Sequence, residues 1–156
     1  MHIPSASIHQ LDLLSFRDAL EQSGCRGDYD PSRWIYVPDH YTEYRYILGT
    51  RGANPLICIG VNPSTAEPDH LDNTLKSVER IAAYNGYDSF LMFNVYAQRA
   101  TRPGDMDRER SETLHAENMN AFRYVLGTSG ARRPSVWAAW AASSNSGPIF
   151  PAVWRT

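Results

Sequence analysis

The chain has little cysteine and no long apolar run, and each shortage excludes a class of protein. Its 156 residues include only two cysteines, Cys25 and Cys58, which give neither a disulfide framework nor a metal-ligand spacing. Cys58 lies within an apolar run, as a small buried hydrophobic residue would. The apolar run at 136–142 is far shorter than the ~18 residues that cross a bilayer, and the chain does not open with a secretory leader. We therefore expect a protein of the reducing cytoplasm with no membrane partner.

A strong charge of one sign is also missing. The 15 basic residues, of which 14 are arginine, stand against 17 acidic ones, and the formal net charge is −2. Such a surface cannot hold nucleic acid by counterion release over its whole area, so any DNA contact must be local. The five histidines are dispersed, and the acidic loop 69–72 is more typical of a solvated turn than of a cation site. No nucleophile elbow, Walker loop or dinucleotide glycine motif occurs, and we expect neither a metal nor a cofactor.

The composition predicts one folded domain. Hydrophobic residues make up 42% of the chain and charged residues 21%, which is ordinary for a globular protein. The length fits a single α/β domain over residues 1–156. Within it we expect an N-terminal helix and linker over 1–30 and an irregular tail over 141–156.

The apolar periodicity predicts three helices and five strands. Helices are expected at 8–21, after a cap at Asp72 until Gly86, and from Leu114 to about Gly127. Strands are expected at 34–37, 44–48, 56–61, 90–93 and 135–140. The first two strands should pair antiparallel at one sheet edge, and the alternation that follows predicts parallel strands. The expected fold is a three-layer α/β domain with a mainly parallel sheet, flanking helices and a shortened C-terminus.

Two polar loops follow buried strands of this sheet. The first begins at Asn62 and the second at Asn94, and loops at the carboxyl ends of parallel strands converge on one crevice. An asparagine amide offers two donors and an acceptor in one plane, which suits a nucleobase edge or a positioned water. The other interpretation is a plain turn whose side chains satisfy nearby backbone groups.

Several neighbours could complete such a site. Pro63 fixes the backbone after Asn62, while Ser64 and Thr65 offer hydroxyl and backbone donors. In the second loop Arg99 and Thr101 are candidates for ligand contacts, although a solvated charge and the start of a turn are equally ordinary roles for them. Asn118 falls on the apolar face of its helix, and we expect it to be buried and to hydrogen-bond one of the loops.

These segments resemble a known family. The strings YRYIL at 44–48, PLICIGVNPSTA at 55–66 and DNT at 72–74, with GY at 86–87, NVY at 94–96 and RAT at 99–101, resemble the bacterial domain of unknown function family 1643. The resemblance covers about residues 41–140.

A shorter resemblance links Gly60-Val61-Asn62-Pro63 to the mismatch-specific glycosylases of the uracil-DNA glycosylase superfamily. It implies a uracil-DNA-glycosylase-like fold, with Asn62 positioning a hydrolytic water and the residues after it cradling a base. It also implies a nucleobase, a nucleotide or locally bound DNA as partner, and hydrolysis of an N-glycosidic bond. We place Gly60, Asp72 and Asn94 in the same substrate site, and Arg99 and Arg102 are candidates for phosphate contacts.

The sequence departs from that superfamily after residue 140. The second motif of these glycosylases, a His or Asn followed by Pro and Ser after a late strand, has no counterpart in residues 141–156. A second interpretation therefore stays open, in which the chain is a catalytically inactive binding or interaction module, a shortened member of its family.

Overall fold

The computed structural model describes residues 1–128 and 135–138. Within these ranges, local sequence signals give five strands and three α-helices. The strands are β1 (Trp34–Val37), β2 (Ile47–Thr50), β3 (Pro55–Gly60), β4 (Ser89–Asn94) and β5 (Val136–Ala138). The helices are α1 (Phe16–Glu21), α2 (Asn73–Tyr84) and α3 (Glu112–Thr128). Within the described ranges, no helix is long and apolar enough to span a membrane.

The five strands form one mixed sheet in the order β1-β2-β4-β3-β5. β1 and β2 pair antiparallel at one edge, while β3 pairs parallel with both β4 and β5. The predicted α/β class and antiparallel edge pair are thus confirmed. The sheet is mixed rather than mainly parallel because β2 also joins β4 antiparallel.

Apolar clusters cover both faces of the sheet. One contains Leu75, Val78 and Ala82 of α2 packed on inward residues of β3 and β4. The other contains Phe16 of α1 and apolar residues of α3 such as Val125, packed on the opposite side. The helices therefore flank the sheet on two sides, and this burial supplies the main driving force for folding.

The predicted N-terminal helix is shorter than expected. In place of one helix over 8–21, a 3₁₀ turn at Ile8–Gln10 precedes α1, which begins after the cap Ser15. The hydroxyl of Tyr44 accepts from Leu14 N at 2.9 Å, and the hydroxyl of Tyr46 donates to Leu14 O at 2.8 Å. Because two tyrosines occupy both backbone groups of Leu14, the helix cannot run through it.

Two strands also differ from the predicted bounds. The predicted strand 44–48 becomes β2 three residues later, because residues 44 and 45 pair with residues 97 and 98 rather than with β1: Tyr44 forms a bridge with Gln98, and Arg45 N donates to Ala97 O at 2.9 Å. The predicted strand 135–140 is confirmed at β5. Residues 139–140 and the tail predicted at 141–156 lie outside the described residues.

Candidate functional site

The carboxyl ends of β3 and β4 lie side by side. Gly60 is in parallel register with Asn94, so the first loop (residues 61–66) and the second loop (residues 95–103) leave the same edge of the sheet. Backbone hydrogen bonds join the two loops: Tyr96 N donates to Val61 O at 3.1 Å and Ala100 N donates to Pro63 O at 2.9 Å. The predicted convergence of the two loops is therefore present.

An opening of about 200 Å³ lies between these loops and the start of α2. Polar side chains and apolar side chains share its wall. Of the predicted site residues, those that line it are Gly60, Asn62, Ser64, Asp72, Asn94 and Thr101. Leu75, Met92 and Pro103 contribute apolar atoms. Pro63 is buried and Thr65 partly buried in the first loop, and neither lines the opening.

Asn62 is held by its amide nitrogen. Its Nδ2 donates to Ala100 O at 2.7 Å and to Pro63 O at 3.1 Å. The amide therefore satisfies nearby backbone groups, as the plain-turn interpretation expects. Among the described residues no donor bonds its Oδ1, and an amide fixed at one end presents the other as a defined acceptor.

Asn94 is buried at the floor of the opening. Oriented so that its Nδ2 faces acceptors, the amide donates to Asn62 O at 3.3 Å and to Phe93 O at 3.2 Å. From α3, Asn118 Nδ2 donates to Asn94 O at 2.9 Å and to Val95 O at 3.2 Å. The prediction that Asn118 is buried and bonds one of the loops is confirmed.

The rim of the opening involves the start of the chain. Ser64 Oγ and Thr101 Oγ1 are 3.1 Å apart across the two loops. His2 N donates to Thr101 Oγ1 at 2.6 Å, and Thr101 N donates to His2 O at 2.9 Å. The His2 ring lies 2.8 Å from both Glu43 Oε2 and the hydroxyl of Tyr41. The N-terminal residues thus brace the rim.

Asp72 lines the opening and caps α2. Its Oδ1 accepts from Leu75 N at 2.9 Å, which confirms the predicted cap. Asp69, which the sequence places in the same acidic loop, accepts from Trp34 Nε1 at 3.1 Å. Over residues 1–128 and 135–138 no group of three or more potential metal ligands occurs.

Arg99 is completely buried beneath the first loop, so it is not a solvated charge. Its Nη1 donates to the carbonyls of Ser64 and Ala66, its Nη2 donates to the Tyr36 hydroxyl at 2.8 Å, and its guanidinium lies 4.2 Å from the ring centre of Tyr41. Burial raises the pKa of Tyr36 to about 12, against the opposing charge of Arg99. The phenol is therefore neutral, and Arg99 anchors the loop rather than lining the opening.

Arg45 is the residue that sequence reasoning missed. It is 2% exposed, lines the opening, and donates from Nη1 to Ala66 O at 3.0 Å. Burial, together with the nearby charge of Arg99, lowers the pKa of Arg45. One signal in the sequence could have identified it: a lone arginine lies between two tyrosines in a segment of strand-forming apolar residues. If that segment is buried, its arginine is buried with it.

Arg102 and Thr101 are both exposed at the rim, and Arg102 precedes the 3₁₀ turn Pro103–Asp105.

Comparison with family models matches residues 45–149 to a family described as a protein of unknown function, DUF1643. Comparisons with curated proteins and with solved structures gave no match.

Proposed function

We propose that this chain, which belongs to the DUF1643 family of proteins of unknown function, binds the base of a nucleotide or of locally bound DNA in the opening at its sheet edge. The observation that carries the proposal is the pair of strand ends, β3 and β4, that bring the amides of Asn62 and Asn94 to one opening. Amides in a fixed plane can read the edge of a heterocycle by hydrogen bonds.

The size and lining of the opening support a single base. Its volume of about 200 Å³ is below the ~300 Å³ at which pockets for drug-sized ligands begin. A planar base fits such a space. Leu75 and Met92 offer apolar surface to the flat face of a ring, and Ser64 and Thr101 stand at the rim.

Base binding is expected to raise the melting temperature of the protein. A ligand that binds only the folded state at 100 times its Kd stabilises it by about 2.7 kcal/mol, which corresponds to several degrees for a domain of this size. The measurement is a thermal-shift series with free bases and nucleosides. An unchanged melting curve for every base would contradict the proposal and favour a structural or interaction module.

A variant with an altered opening tests whether the thermal shift comes from binding there, and a glycine elsewhere in the chain provides the control. With Asn94 oriented as above, a Cβ at Gly60 would lie 2.5 Å from Met92 Cε and 2.8 Å from the amide nitrogen of Asn94, so Gly60→Val forces these two lining side chains to shift and changes the shape of the opening. A Cβ at Gly127 meets nothing within 4 Å. We expect Gly60→Val to lose the thermal shift and Gly127→Val to keep it.

A second candidate function, hydrolysis of an N-glycosidic bond, is favoured by the anchored amide of Asn62. With Nδ2 committed to backbone carbonyls, Oδ1 is oriented to accept from a water. That water would attack the anomeric carbon while the bond to the base nitrogen breaks. The electron pair leaves with the base, which gains a proton, and the sugar gains the hydroxyl. The resemblance to uracil-DNA glycosylases implies both this chemistry and a uracil-DNA-glycosylase-like fold.

Removal of the acceptor is expected to slow this reaction about 30-fold, since losing one hydrogen bond to the attacking water costs about 2 kcal/mol. The assay incubates Asn62→Ala and the parent with oligonucleotides containing uracil or other modified bases, followed by alkaline cleavage. Asn120→Ala, at an exposed asparagine of α3, is the control. No strand scission with any base would exclude hydrolysis and leave the catalytically inactive binding module.

A further inference from the structure

Two buried guanidinium groups meet at one carbonyl. Arg45 Nη1 and Arg99 Nη1 both donate to Ala66 O, at 3.0 and 3.2 Å. Their exposed fractions are 2% and 0%. Like charges this close repel each other, and each has lost most of its hydration.

Neither cation forms an ion pair with a described residue. In the part of the chain that the structure describes, the ion pairs all involve other residues. The hydroxyl of Tyr36 contacts Arg99 but is a neutral phenol. Buried charges are normally paired or neutralised because isolated ones cost several kcal/mol. The carboxylate of Asp72 attracts Arg45 without forming an ion pair, so the positive charge of the two arginines is only partly offset.

The two arginines differ in what they can reach. Arg99 spends both terminal nitrogens on the first loop and on Tyr36. The Nε of each arginine has no hydrogen-bond partner among residues 1–128 and 135–138, but Arg45 lines the opening and Arg99 does not. The other charged residue at the opening, Asp72, directs its Oδ1 to the first turn of α2, where the helix dipole offsets its charge. Arg45 is thus the cation that faces the ligand.

We infer that Arg45 binds the phosphate of the ligand, so that the opening selects a phosphate monoester of a nucleoside over the free base or nucleoside. The inference rests on the proposed function and narrows it to a substrate class. A guanidinium suits this role because its N–H groups bind phosphate oxygens in charge-assisted hydrogen bonds. The bound phosphate also adds negative charge beside the Arg45–Arg99 pair.

Calorimetric titration of the parent protein tests the inference directly. The probes are inorganic phosphate, a nucleoside that binds, and the 5′-monophosphate of that nucleoside. A desolvated charged pair is expected to strengthen binding about 30-fold, so the monophosphate should bind about 30-fold more tightly than the nucleoside. Equal affinities in the parent protein overturn the inference, whatever any variant does.

The variant Arg45→Met locates the contact. It keeps an unbranched side chain as far as the position of Nε and should fold, because Ala66 O retains the donor Arg99. With both affinities measured in the same variant, we expect Arg45→Met to lose the 30-fold advantage of the monophosphate over the nucleoside. Arg80→Met, at an exposed arginine of α2, is the matched control and should keep it. An advantage that persists in Arg45→Met overturns the inference.

Failure of the proposed function would look different. If inorganic phosphate binds the parent but not Arg45→Met, while no nucleoside binds either, the anion site stands and base recognition fails. If nucleosides bind and phosphate adds nothing, base recognition stands and the anion site fails. No binding of any probe removes both.

Discussion

Replacing Arg99 with methionine is expected to lower the free energy of unfolding by about 3 kcal/mol. The variant leaves the carbonyl of Ser64 and the hydroxyl of Tyr36 without their buried donor, and it removes one of two donors to Ala66 O. It also removes the cation stacked on Tyr41. Each lost partner of a buried polar group costs about 1 kcal/mol, and the measurement is urea denaturation followed by circular dichroism.

Arg45→Met is the informative comparison for this prediction. It removes an equally buried charge, but the one carbonyl among the described residues to which Arg45 donates keeps a second donor. Replacing a poorly compensated buried charge by an apolar side chain is often neutral or stabilising. We therefore expect a change of less than about 1 kcal/mol. Equal losses in the two variants would show that burial of charge, rather than anchoring of the first loop, sets the cost.

Gly49→Ala is expected to destabilise the protein by about 3 kcal/mol or more, at the upper end of overpacking costs. A Cβ at this position in β2 would lie 2.1 Å from Phe90 O and 2.9 Å from Leu91 Cα. Both are backbone atoms of β4, the central strand, so the clash cannot be relieved by a side-chain rotation. The two strands must separate where Gly49 pairs with Leu91.

Gly104→Ala serves as the control, because a Cβ there meets nothing within 4 Å. Its unfolding free energy should stay within about 0.5 kcal/mol of the parent value. The unfolding free energies of both variants are measured by chemical denaturation, with the same dependence of free energy on denaturant concentration (m-value) used for both. A Gly49→Ala protein as stable as the Gly104→Ala protein would mean that β2 and β4 do not pair in this register.

The sequence predicted the parts of the fold that depend on local pattern. The cap at Asp72 and the apolar face of α2 follow from side chains within a few residues of each other, and so do the buried runs of β3 and β4. The bounds of α1 and β2 were missed because distant groups set them. Tyr44 and Tyr46 take the backbone of Leu14, and Ala97 takes the amide of Arg45.

The site was predicted in the same uneven way. The meeting of Asn62 and Asn94 follows from parallel strands alone, and Asn118 followed from its place on a helix face. The burial of Arg45 and Arg99 could not be predicted from the sequence. The two arginines are 54 positions apart in the chain, and both donate to the carbonyl of Ala66. Nothing local distinguishes such an arginine from a solvated one.

The pairing of His2 with Thr101 has a practical consequence for how the protein is prepared. Because His2 bonds the second loop through both its backbone N–H and its carbonyl, any purification tag fused ahead of Met1 would emerge beside the rim of the opening. A linker there could shield the entrance or pull the loop away from it. Assays should therefore use material from which an N-terminal fusion has been cleaved, with tagged material run alongside.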